Sequence, residues 1–103
     1  KKEVTEGTPF GPDVLVFKVA GKMFALSGID DFATINLKCD PEKAIQLRAE
    51  FNAVNPGYHM NKQHWNTVTV NDDVSDELLY KMIDESYDLI VASLPKKVRE
   101  QLR

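Results

Sequence analysis

The 103-residue sequence predicts an α+β fold: one five-stranded antiparallel sheet packed with helices, in the order β-β-β-α-β-β-α. Three observations carry this reading. Short runs rich in β-branched residues, such as VLVFKV and WNTVTV, are set off by turn residues. Two other segments repeat apolar residues at helical spacing behind helix-starting residues. The connections between runs are short, so consecutive strands pair antiparallel.

The first nine residues, KKEVTEGTP, are polar and read as an irregular lead-in, followed by a rigid turn over Phe10-Gly11-Pro12-Asp13. Val14–Val19 and Lys22–Ser27 form a hairpin across Ala20-Gly21, where glycine supplies positive φ. After a loop at Gly28–Asp31, Thr34–Cys39 is a third strand. Ile35, Leu37 and Cys39 point to one side of it, and Asn36 and Lys38 to the other. Asp40, Pro41 and Glu42 then start a helix that runs to about Phe51. Its stripe is Ala44, Leu47, Arg48 and Phe51, with Ile45 beside it. Asn55-Pro56-Gly57 turns the chain, and Tyr58–Lys62 and Trp65–Val70 are two further strands joined near Asn61–His64. A last helix starts at Ser75, with Val74 and Leu79 at staple spacing. Leu79, Met82, Ile83, Ile90 and Leu94 form its apolar face, and Pro95 stops it. The basic tail beyond is expected to fray.

Composition narrows the function. An apolar fraction of 43% and a charged fraction of 28% fit one ordinary globular domain over 1–103. No apolar run is long enough to span a bilayer, so no membrane role is expected. A single cysteine, Cys39, excludes an intramolecular disulfide framework and a multi-cysteine zinc site. With no leader-like start, a reducing, cytoplasmic setting is expected. Net charge is −3, but the acidity is local: Asp72, Asp73, Asp76, Glu77, Asp84, Glu85 and Asp88 face only Lys81 within residues 71–94. From Phe51 to Val70 there is no acidic residue. A polyanion meets no local repulsion there, although the whole molecule does not attract one.

The densest functional-looking stretch is HMNKQHW, His59–Trp65. Read functionally, it is a wing tip between two strands: Lys62 meets a phosphate, Asn61 and Gln63 meet base edges, and Trp65 or Tyr58 stacks a base. Read structurally, Met60 and Trp65 are core, while the histidines and amides satisfy turn backbone. Asn36 and Lys38 share a strand face and extend the same polar surface. The tail lysines Lys96 and Lys97 are further phosphate candidates. Catalysis finds little support. Cys39 lies on an apolar strand face, where a free cysteine is usually a small hydrophobe. His59 and His64 have no carboxylate close in sequence to complete a metal site. No phosphate-loop, dinucleotide, zincin or hydrolase motif occurs. No cofactor and no metal are expected.

One feature demands a cover. The first hairpin is apolar on both faces, Leu15, Phe17 and Val19 on one and Val14 and Val16 on the other. Helices bury one face. The other needs a further element or a second subunit.

The blocks PFGPDVLVFKVAGKMFAL, INLKCDPE, PGYHMNKQHWNTV and SYDLIVASLPKK together resemble the YjbR/MmcQ-like family of small bacterial proteins. The resemblance implies an α-β(3)-α-β(2)-α fold and therefore one helix ahead of the elements read above. Its lack here implies an N-terminally trimmed domain or a homodimer. The resemblance also implies DNA binding, through an arrangement likened to a double wing. The expectation is a non-enzymatic DNA-binding protein with contacts at Lys38, His59, Asn61, Lys62, His64, Lys96 and Lys97. The alternative is a dimeric module that binds a protein or small ligand and no nucleic acid.

Overall fold

The computed structural model describes residues 4–11, 13–28, 33–57 and 60–102. The elements are β1 (Val4–Gly7), β2 (Val14–Val19), β3 (Lys22–Gly28), β4 (Thr34–Lys38), α1 (Pro41–Glu50), β5 (Val54–Pro56), β6 (Trp65–Thr69), α2 (Asp76–Ser93) and α3 (Lys96–Gln101). The strands form one six-stranded sheet in the order β1-β2-β3-β4-β6-β5, and every neighbouring pair is antiparallel.

The α+β class stands as expected, but the sheet has six strands rather than five. The polar lead-in contains β1, which pairs with β2 from Val4↔Val19 to Gly7↔Val16. All four of its residues are exposed, so the backbone ladder holds it and no apolar alternation announces it. The fifth strand lies earlier than the sequence suggests. It is Val54–Pro56, and the described part of the expected Tyr58–Lys62 strand is loop. Pro56 fits because β5 is an edge strand, where a missing N–H breaks no ladder. The tail is also ordered, as α3. Its own residues are not buried, but Leu102 at its end packs against the core.

The β2–β3 turn has both central residues at positive φ, Ala20 at 48° and Gly21 at 82°. That twist suits a two-residue hairpin. The ladder shifts register after Phe17, so that Phe24 and Ala25 are both buried.

The two faces of the sheet have different fates. One carries Phe17, Val19, Ala25, Ile35, Leu37 and Val68, which join Leu47 of α1 and Met82, Tyr87 and Ile90 of α2 in a single core. Phe24 meets Tyr87 edge to face, with ring centroids 5.5 Å apart. Ser86, fully buried on α2, ties the layers together. Its Oγ donates to the Phe24 carbonyl at 2.6 Å and accepts from the Lys38 N–H at 2.9 Å. The other face carries no helix among the described residues.

Candidate functional site

The helix-free face is built by alternation. Val14, Val16, Lys18, Leu26, Asn36, Lys38, Trp65 and Thr67 point to it, because their strand neighbours point into the helix-side core. Asn36 pairs with Thr67 across the β4–β6 ladder, and the Thr67 hydroxyl donates to the Asn36 side-chain oxygen. A groove of about 500 Å³ runs over this face. Val14, Met23, Leu26 and Asn36 line it, with Phe10 and Met60 on loops beside them. Phe10 is 67% exposed, the highest exposure among the large apolar residues described.

The groove answers the question raised by the two-sided hairpin. Val16 is 1% exposed, yet it lies outside the helix-side core. The back of the hairpin is flanked by the chain's own loops at Phe10 and Met60, which leaves a groove between them.

The segment between β5 and β6 is described at Gly57 and from Met60 to His64. Arg48 straps this loop down. Its Nε donates to Asn66 Oδ1 at 2.7 Å, and one terminal nitrogen donates to the carbonyls of Lys62 and, at 3.2 Å, Trp65. Three acceptors suit a planar guanidinium fork. Within the loop, His64 and Trp65 donate backbone N–H groups to the Asn61 carbonyl. The Asn61 side chain accepts from the Gln63 N–H at 2.9 Å, an Asx-type turn. Gly57 sits against β6: a Cβ there would lie 2.8 Å from Trp65 Cβ and 2.9 Å from its carbonyl oxygen. Only glycine fits so close an approach.

The candidate residues separate accordingly. Lys38 stands on the helix-free face, and the Cys39 N–H beside it donates to the His64 carbonyl at 2.7 Å. The loop end and Lys38 are thus neighbours. Asn61, Lys62 and Gln63 are exposed, His64 is half-buried, and the Lys62 ammonium reaches back to the Gly57 carbonyl at 3.4 Å. His59 and Tyr58 lie outside the described residues. Lys96 and Lys97 are exposed on α3, in the helix layer, and so stand apart from the groove. Trp65 is 9% exposed, too buried to serve as an open stacking platform.

Reasoning from sequence missed Arg48, Asn66 and the groove walls. An arginine on an otherwise apolar helix stripe was the available signal for Arg48. Nothing local marked Phe10 and Met60 as partners, since fifty residues separate them.

Cys39 takes the other side of β4. Burial pushes its thiol above the ordinary range, against a weaker opposing pull from Lys43. A protonated thiol is a poor nucleophile. Lys43 is paired with Glu85 at 2.6 Å in the same cleft. No group of three metal-ligating side chains occurs among the described residues, and no described helix is long and apolar enough to cross a membrane.

The sequence model of the YjbR family matches residues 1–89. The chain belongs to the YjbR family. It is 41% identical over 96 residues to the uncharacterized protein YbdF of Escherichia coli O157:H7, covering 92% of this chain and 79% of that protein. It is 35% identical over 86 residues to the uncharacterized protein YjbR of Escherichia coli K12, covering 82% and 73%. Among solved structures, this YjbR domain is similar to Deinococcus radiodurans protein DR2400, which contains a DUF419 domain. The TM-score is 0.91 at 37% identity, over 97% of this chain and 78% of that one. A Pseudomonas syringae protein follows at TM-score 0.71 and 30% identity, over 85% and 87%.

Proposed function

We propose that this domain is a non-enzymatic nucleic-acid-binding protein that uses the helix-free sheet face and the 57–64 loop. The observation that supports it is the division of charge across the sheet. The strand residues facing the groove side include Lys18 and Lys38 and no Asp or Glu, and the loop adds Lys62. Asp76, Glu77, Asp84, Glu85 and Asp88 all lie on α2, in the opposite layer. A phosphate chain can therefore approach Lys38 and Lys62 away from α2 and from Glu6, which lines a second pocket beside Lys18. The acidic layer and the net charge of −3 keep binding weak, in the micromolar or weaker range typical of non-specific contacts (Kd roughly 10⁻⁴–10⁻⁶ M).

The test is fluorescence anisotropy with labelled oligonucleotides at about 50 and about 200 mM salt. Binding is expected to weaken with salt, and Lys38→Glu with Lys62→Glu to remove it. Lys96→Glu with Lys97→Glu is expected to leave it nearly unchanged, because α3 is in the other layer. A flat trace at high micromolar protein rejects the proposal. The apolar groove favours one second reading, closure by another copy of the chain. Light scattering would then report a dimer, and the lysine reversals would change nothing.

A further inference from the structure

We infer that the groove on the helix-free face receives an unstacked base, so that the ligand is single-stranded rather than duplex nucleic acid; this rests on the nucleic-acid reading above. A duplex presents phosphates and base edges, but its flat base faces are stacked away. A single strand offers those faces to apolar side chains. The groove is built for such a group. Its floor is apolar, from Val14 and Leu26, and Phe10 and Met60 stand at its sides on loops. At 67% exposure, Phe10 is an aromatic surface without a full partner within the fold.

The groove also has a polar end of the right kind. Asn36 is 9% exposed, and its side-chain oxygen is held by the Thr67 hydroxyl. With the oxygen engaged by Thr67, the amide's remaining hydrogen-bonding capacity is its NH₂, a donor suited to a base-edge acceptor in the groove that Asn36 lines. Lys38 follows on the same face, one pleat or roughly 7 Å along β4. A base seated against Asn36 brings its backbone phosphate toward that ammonium. Apolar floor, aromatic side, polar amide and nearby cation together complement a nucleotide, and it is the apolar groove beside the cation that favours a base with its phosphate over a purely ionic partner.

The experiment compares a labelled deoxythymidine ten-mer with a generic duplex of the same length, using the whole chain and its variants. The single strand is expected to bind more tightly than the duplex. Phe10→Ala is expected to weaken the single strand about tenfold while leaving its salt slope unchanged, since stacking releases no counterions. Lys38→Gln is expected to lower the slope by about 0.7. Phe10 is so exposed that its replacement leaves the fold intact, which circular dichroism checks. Equal binding of both probes with Phe10→Ala silent overturns the inference and leaves the phosphate-binding reading standing. No binding of either probe removes both. A dimer that Phe10→Arg dissociates, without oligonucleotide binding, overturns it in favour of a second copy.

Discussion

The two faces of one sheet in this YjbR-family domain receive opposite treatment. The helix side is closed: Leu37 is 2% exposed, Val19 and Val68 are fully buried, and Ser86 satisfies two backbone groups across the layers. The opposite side mixes Val14, Val16, Leu26 and Trp65 with Lys18, Asn36, Lys38 and Thr67, is flanked by loops among the described residues, and retains a groove. Acidic residues decorate the outer helix layer, and lysines stand on the groove side. The same alternation thus yields a packed core on one face and an open groove on the other. The difference comes from what the rest of the chain lays against each face.

The sharpest way to break this contrast is to truncate each face in turn. Leu37→Ala should destabilise by about 3 kcal/mol, because a cavity opens in a layer that cannot collapse. Leu26→Ala, half-buried on the groove side, should destabilise by about 1 kcal/mol, since solvent already reaches it. Urea unfolding of both measures the gap, and equal losses would mean the groove side is as closed as the helix side. Ser86→Ala should follow at about 2 kcal/mol, because it strands the buried Phe24 carbonyl and the partly buried Lys38 N–H.

Arg48→Met tests whether the loop is strapped from the helix layer. About 1–2 kcal/mol of stability should be lost, and hydrogen exchange should rise first at residues 60–66. Protection unchanged in that loop would show that Arg48 does not anchor it. The smallest effect concerns Cys39. Its raised thiol pKa means the fold disfavours the thiolate. The stability from the neutral thiol is present below the unfolded pKa and is lost as pH rises through the folded one. Alkylation at pH 8 should be slower than for a free thiol and should recover on unfolding. Fast alkylation of the native protein would place Cys39 outside the packed layer.

Much of this was legible because local signals agreed with the fold. Ser75 caps α2 through the Leu78 N–H as its sequence suggests, and Ile35, Leu37 and Cys39 share the buried side of β4. Asp40 stands at the α1 N-cap without its side-chain bond, so there the preceding strand and Pro41 set the helix start. The misplaced strands were illegible for a common reason. Val4–Gly7 and Val54–Pro56 are short edge strands without apolar alternation: the first is held by its ladder alone, and the second adds only one core side chain, Val54. The site was half legible. Lys38, Asn61 and Lys62 are chemistry-bearing wherever they sit, but Phe10 and Arg48 acquire roles only through residues distant in sequence.

The sequence by itself determined the class, the hairpin, both long helices and the parity that sorts side chains onto two faces. These follow from backbone periodicity and capping, which act within a few residues. Tertiary structure alone decided which face the helices cover and that Phe10 and Met60 line one groove. It also brought Arg48 to the 57–64 loop. Such pairings depend on how distant segments pack, and no local propensity encodes them.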